Sequence, residues 1–160
     1  MSIETGMYLI SSKVNNHSIG RYPVEDRTML PKRVMVLPQG IQAPHWIIEK
    51  KEGTDTYTMK AGHAATAVED GLLWVTLMDS MPPPAASWTI TATPQHGENT
   101  YIIQLADNGA GWIVPDTNPD TNPDGGDLVQ IQVKRLIVLE IFPIQYPPNY
   151  LFTLIRIDRD

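Results

Sequence analysis

Arg27 is the residue whose type and setting most clearly suggest chemistry. It lies at the middle of a charged segment that runs from Pro23 to Pro31, four residues from each proline. Proline fixes its own φ and pushes the preceding residue toward extended conformations, so both ends of this segment are stiffened. A stiff, exposed, extended loop with one central arginine suits a substrate-like protease inhibitor, because the guanidinium can enter a specificity pocket that ends in a carboxylate. We call residues 23–31 the Arg27 loop; the alternative is that Arg27 is an ordinary solvated surface residue.

The neighbours of Arg27 would take defined places in such a loop. Thr28 would follow the targeted peptide bond, and Glu25, Asp26 and Met29 would contact the enzyme beside it. A pre-organised loop lowers the entropy cost of binding. Because the rigid loop also holds the leaving amine in place for religation, the bond would be cleaved only slowly.

The sequence lacks the spacings of the common catalytic and metal-binding motifs. Its four histidines are scattered, and it has no HExxH motif, no Gly-x-Ser-x-Gly elbow and no phosphate-binding glycine loop. Four aspartates follow one another at spacings of 4, 4 and 3 residues with prolines between them, unlike the ligands of an EF-hand: Asp116, Asp120, Asp124 and Asp127. We predict that this tract is a solvated surface loop, and we predict no enzymatic activity, no cofactor and no metal.

Composition narrows the set of partners and compartments. The chain contains no cysteine, which removes disulfides, thiolate zinc sites and cysteine nucleophiles together. The net charge of −6 argues against nucleic acid and anionic membranes as partners. No signal-peptide pattern is present near Met1, so we expect a cytoplasmic protein.

The elements that must position Arg27 are β-strands. Ile, Val and Thr account for 40 of the 160 residues, and Pro and Gly for another 25. Branched side chains favour a pleated surface, while frequent Pro and Gly interrupt the chain too often for helices. Alternating apolar positions predict about a dozen strands, at residues 7–10, 33–37, 46–48, 56–59, 72–77, 88–91, 101–103, 128–133, 136–139 and 151–157, with shorter ones at 19–21, 64–67 and 112–114.

An internal repeat suggests how these strands are arranged. Trp46 precedes a turn and a strand that contains Tyr57, and Trp88 precedes a turn and a strand that contains Tyr101. A third copy would join the two ends of the chain. Three units of roughly 45–60 residues, the last closing onto the first, predict one all-β domain over residues 1–160 with a β-trefoil fold, a six-stranded barrel capped by three hairpins. The repeat disfavours a two-sheet sandwich.

The same residues resemble a known family. The shared motifs are Glu4-Thr5-Gly6-x-Tyr8, Gly20-Arg21-x-Pro23-x-Glu25-Asp26-Arg27-x-x-Leu30-Pro31-Lys32, Leu37-Pro38-x-Gly40, Asp70-Gly71-Leu72-Leu73, Pro94-Gln95-His96-Gly97, Gly111-Trp112 and Tyr146-Pro147-Pro148. With them the chain resembles, nearly end to end, the mushroom (basidiomycete) β-trefoil serine protease inhibitors of the cospin type. The resemblance implies a monomeric inhibitor of trypsin-like serine proteases with a fungal defence or regulatory role. It also implies that the loop between the second and third strands binds trypsin through Arg27.

Other sites and other functions stay open at this point. Trypsin-like enzymes do not prefer acidic residues before the arginine, so Glu25 and Asp26 either support the loop or indicate a different site. The rival basic residues are Lys13 in the first loop and the Lys32-Arg33 pair, which we expect to begin a strand. A β-trefoil lectin is the alternative binding function, but the Gln-x-Trp motif of that branch is absent from all three units. A storage protein without a specific partner is the third possibility.

Overall fold

The computed structural model describes residues 3–23, 25–78, 82–115, 129–139 and 141–158. These ranges contain two short 3-10 helices (Pro94–His96 and Pro148–Tyr150) and fourteen strands: β1 (Gly6–Ser12), β2 (Ile19–Gly20), β3 (Lys32–Arg33), β4 (Met35–Val36), β5 (Trp46–Lys50), β6 (Tyr57–Ala61), β7 (Ala64–Glu69), β8 (Leu72–Thr76), β9 (Trp88–Ala92), β10 (Thr100–Leu105), β11 (Gly111–Ile113), β12 (Val129–Gln130), β13 (Gln132–Lys134) and β14 (Phe152–Arg156). The predicted all-β class is confirmed. The aspartate tract at 116–127 lies outside the described residues.

The larger of the two sheets closes into a barrel. Within it, β1 pairs with β5, β5 with β6, β6 with β9, β9 with β10, β10 with β14, and β14 returns to β1. The pairs β5–β6, β9–β10 and β14–β1 are the three that the repeat predicts, including the one that joins the ends of the chain. The other junctions of the ring each place a tyrosine opposite a large aromatic residue: Tyr8 opposite Trp46, Tyr57 opposite Trp88, and Tyr101 opposite Phe152.

Three backbone hydrogen bonds relate the three units near one point of the core. The N–H of Val34 donates to the carbonyl of Leu73 (3.2 Å), Leu73 donates to Ile131 (2.9 Å), and Ile131 donates back to Val34 (2.9 Å). All three residues are fully buried. Val34 separates β3 from β4 and Ile131 separates β12 from β13, which is why the described residues contain fourteen strands where about a dozen were expected.

Trp112 lies at the centre of the core. Its ring centroid is 5.6–5.7 Å from those of Trp46, Trp88 and Phe152, one aromatic residue from each unit, and all four side chains are fully buried. Aromatic pairs of this kind contribute about 0.5–1.5 kcal/mol each beyond their area burial. Trp112 is therefore a core residue, whereas Trp74 is only partly buried.

One predicted strand is wrong. Residues 136–139 form no strand in the described structure, and Ile137 and Leu139 are 78% and 74% exposed. The backbone N–H of Ile137 donates to the hydroxyl of Tyr150 (3.2 Å) instead of to a neighbouring strand. The apolar run of these residues predicted burial, but the pairing of β13 with β11 ends at Lys134 and leaves the run on the surface.

The described residues include no helix of the length and apolarity needed to cross a membrane. The same part of the chain holds no cluster of three or more acidic or histidine side chains that could bind a metal ion.

Candidate functional site

Both ends of the Arg27 loop are anchored in the fold. The strand before it, β2, pairs with β4, and the strand after it, β3, pairs with β8 through Lys32 opposite Val75 and Arg33 opposite Trp74. The loop therefore joins the second and third strands, as the family resemblance implies. Its described residues are all but number 24; residues 26–30 are exposed, and the backbone bends at residues 27–30 instead of running fully extended.

Glu25 supports the N-terminal side of the loop. Its two carboxylate oxygens accept hydrogen bonds from the Nη2 (2.6 Å) and Nε (3.1 Å) atoms of Arg21. A bidentate pair of this kind fixes direction as well as distance. The carboxylate of Glu25 therefore forms an intramolecular ion pair with Arg21.

Asp26 and Thr28 are bonded to each other across Arg27. The Oδ1 atom of Asp26 accepts hydrogen bonds from the backbone N–H (3.0 Å) and the hydroxyl (2.6 Å) of Thr28. A carboxylate that binds the N–H two residues ahead forms a local turn, which here has Arg27 as its middle residue. The acidic residue before the arginine therefore has a structural partner within the loop.

Lys32 lies beneath this turn. Its ammonium forms a salt bridge with the carboxylate of Asp26 and also donates to the backbone carbonyl of Asp26 (3.2 Å) and the hydroxyl of Thr28 (3.3 Å). The Lys32 side chain is only 6% exposed, whereas that of Asp26 is 67% exposed. The hydrogen bonds from Lys32 and Thr28 lower the pKa of Asp26 from 3.8 to about 2.

The side chains of Arg27, Met29 and Leu30 at the apex have no such support; only the backbone N–H of Leu30 donates to the hydroxyl of Thr28 (3.4 Å). Arg27 is exposed and makes no hydrogen bond or ion pair with any described residue. Met29 and Leu30, which follow it, are 53% and 55% exposed. A free guanidinium beside two exposed apolar side chains is available to an external partner.

The rival basic residues divide into two groups. Lys32 and Arg33 begin a strand, as predicted; Lys32 is buried and cannot reach an enzyme, and Arg33 is exposed on that strand. Lys13 is exposed in the β1–β2 loop, where its backbone N–H donates to the carbonyl of Leu151 (3.1 Å). Sequence reasoning missed the anchoring contacts of Arg21 and Lys32; the signal for Lys32 was its position two residues before Val34 on a strand, which puts both on the buried face.

Comparisons with known proteins identify the family to which this chain belongs. The family model for peptidase inhibitor I66 matches residues 1–156. The chain belongs to that family. A curated relative from Lentinula edodes, named a serine protease inhibitor, is 36% identical over 159 residues, which is 98% of this chain and 100% of the relative.

Solved structures extend the comparison to the fold. A proteinase inhibitor from Coprinopsis cinerea is 35% identical, with a TM-score of 0.83 over 98% of this chain and 100% of that one. A lectin from Polyporus squamosus matches with a TM-score of 0.65 at 15% identity over 98% of this chain and 50% of that one, which shows a shared fold alone. Membership of the I66 family confirms the resemblance to fungal protease inhibitors and the prediction of an inhibitor rather than an enzyme.

Proposed function

We propose that this chain inhibits trypsin-like serine proteases by presenting the Arg27–Thr28 bond to the active site as a substrate. The observation that carries the proposal is the contrast at the apex of the Arg27 loop: the Arg27 side chain has no hydrogen-bond or ion-pair partner among the described residues, while Asp26 and Thr28 on either side of it are hydrogen-bonded to each other. The relative from Lentinula edodes carries the name serine protease inhibitor, which supports this class of target.

The geometry accounts for binding in two ways. The guanidinium of Arg27 would pair with the carboxylate at the base of the specificity pocket, and Met29 and Leu30 would cover apolar surface on the far side of the bond. Because hydrogen bonds among Asp26, Thr28 and Lys32 hold the backbone around Arg27, binding avoids a cost of about 1–2 kcal/mol for each residue that would otherwise have to be fixed.

The acidic residues before Arg27 fit this role because they are engaged within the inhibitor. Glu25 is paired with Arg21, and Asp26 with Lys32 and Thr28. Their charges are thus partly neutralised before an enzyme approaches. This supports the interpretation that they stabilise the loop, which the sequence left open.

We further infer a β-trefoil fold for the domain, with β2–β4, β7–β8 and β11–β13 as its three capping pairs, and a monomeric inhibitor. The ring of six strands and the reciprocal bonds of Val34, Leu73 and Ile131 support the threefold arrangement. A lectin function is disfavoured because three of the four tryptophans, Trp46, Trp88 and Trp112, are fully buried and cannot stack on a sugar; Trp74 is the one that is partly exposed.

Titration of trypsin with the wild type and three single variants tests the proposal. Truncation of a side chain that fills a central pocket costs about 2 kcal/mol or more, so Arg27→Ala is expected to weaken inhibition at least about thirtyfold. Lys13→Ala and Arg33→Ala remove the same charge from other exposed positions, and both variants are expected to inhibit trypsin about as strongly as the wild type. Undiminished inhibition by Arg27→Ala, with loss in Lys13→Ala, would move the site to the first loop. A wild type that inhibits no trypsin-like enzyme would overturn the proposal.

A further inference from the structure

Lys32 is the one charged side chain among the described residues that is buried. Strand alternation explains its position: in the pairing of β3 with β8, Lys32 points inward like Val34, and Arg33 between them points to solvent. An ammonium group is costly to bury unless its donors find acceptors. Every acceptor that Lys32 has among the described residues belongs to the Arg27 loop, so its ammonium group stabilises that loop.

The contacts of Lys32 lie on both sides of a single peptide bond. The carboxylate and the carbonyl of Asp26 precede Arg27, and the hydroxyl of Thr28 follows it. The three hydrogens of an ammonium group can serve all three acceptors. One buried group therefore contacts both segments that would separate if the Arg27–Thr28 bond were cut.

Cleavage of that bond would not release either fragment. The N-terminal piece contains β1 and β2, which stay paired with β5, β14 and β4 of the remainder. Strand pairing does not hold the two new ends close to each other, because it stops at Gly20 before the cut and resumes only at Lys32 after it. Between these two points, the two segments are linked by the hydrogen bonds from Thr28 to the carboxylate of Asp26 and by Lys32, which contacts both of these residues.

We propose that Lys32 is the positioning residue that keeps the cut ends of the Arg27 loop together, so that the protease re-forms the bond and the inhibitor is consumed only slowly. This proposal rests on the proposed function. In the forward step, the serine hydroxyl gives its proton to the enzyme's histidine and its oxygen bonds to the carbonyl carbon of Arg27. The C–N bond then breaks, and the nitrogen of Thr28 takes that proton from the histidine. In the reverse step, that amine returns the proton, attacks the ester and displaces the serine oxygen; water competes for the same ester.

Retention of the amine favours the reverse step. Held beside the ester, it reacts as an intramolecular nucleophile at high effective concentration, and a freely moving end does not. Loss of the Lys32 ammonium frees the two ends of the cleaved loop. The intact loop gains less conformational freedom, because the Arg27–Thr28 peptide bond still limits its motion. The equilibrium ratio of cleaved to intact inhibitor therefore rises; freeing the backbone of one residue corresponds to about a tenfold change.

The test measures that ratio and the hydrolysis rate with a catalytic amount of trypsin, using mass spectrometry after denaturing chromatography. Lys32→Met keeps the length of the side chain and removes the ammonium. It is expected to raise both the ratio and the rate about tenfold or more. Arg33→Met removes the same charge one residue away, with no ion pair lost in the described part of the chain. Its ratio of cleaved to intact inhibitor and its hydrolysis rate are expected to stay within about twofold of the wild-type values.

Each outcome decides one of the two proposals. A folded Lys32→Met protein with the wild-type ratio and rate overturns the role of Lys32, while inhibition through Arg27 stands. If Lys32→Met does not fold, Asp26→Asn on the surface decides by the same readout, because it keeps a side-chain oxygen for Thr28 and removes the charge that pairs with Lys32. An unchanged ratio in that variant also overturns the role of Lys32. If trypsin neither binds nor cuts the wild type at Arg27–Thr28, the proposed function fails and the role of Lys32 fails with it.

Discussion

The carboxyl group of Asp26 provides a test of the loop network that needs no protease. Its pKa is lowered from 3.8 to about 2, first by the hydrogen bond from Lys32 and then by those from Thr28. A carboxyl whose pKa is depressed by folding stabilises the native loop above its ordinary pKa, and this contribution is lost as the pH falls through the native value. The network is therefore expected to be complete above about pH 4 and to be lost toward pH 2.

Lys32→Met removes the larger cause of this depression and should return the pKa of Asp26 toward 3.8. At pH 3, a pKa of about 2 leaves about a tenth of the Asp26 carboxyls protonated in the wild type. A variant in which the pKa is 3.8 has about 85% of them protonated at the same pH. Carboxyl chemical shifts recorded by NMR between pH 1.5 and pH 6 give both midpoints. A wild-type midpoint near 3.8, or the same midpoint in the variant, would refute the salt bridge as described.

Three further predictions concern the core and the entry to the loop, and all are read from urea or thermal unfolding. Trp112→Ala removes the ring at the centre of the aromatic cluster and is expected to destabilise the protein by about 3–5 kcal/mol; a cost below 1 kcal/mol would contradict the central packing. Thr66→Val leaves the indole N–H of Trp88 (2.7 Å from the Thr66 hydroxyl) without its acceptor, at a cost of about 1–3 kcal/mol, and an unchanged midpoint would argue against that bond. Gly20→Ala would place a Cβ 2.3 Å from Cγ of Pro44, so we expect a loss of about 1–3 kcal/mol, and wild-type stability would show that the contact relaxes freely.

Strand positions and the threefold repeat could be predicted from the sequence because both depend on local pattern. Alternation of apolar residues identified β5, β6, β9 and β10, and the recurring Trp and Tyr identified which of these strands pair. Residues 136–139 show where this reasoning fails. Their apolar character is a local property, whereas burial depends on whether another strand lies beside them.

The loop network could not be predicted, for a related reason. Arg27 and its flanking prolines are visible in the sequence, and they led to the same loop that the structure exposes. The spacing of Lys32 from Val34 indicates a position on the buried face, but it does not identify the partner of the ammonium group. The contact between Lys32 and Asp26 depends on how the loop folds back over β3, and the sequence near either residue does not fix that path.

Exchange of the Arg27 side chain tests the central claim most directly. The measurement is the inhibition constant of the wild type and of Arg27→Leu against trypsin and against chymotrypsin, whose specificity pocket is apolar. If residue 27 enters the pocket, Arg27→Leu loses affinity for trypsin by about thirtyfold or more and gains affinity for chymotrypsin, while the control Arg33→Leu changes neither affinity. Equal inhibition of trypsin by the wild type and Arg27→Leu would contradict the account and place the contact elsewhere on the molecule.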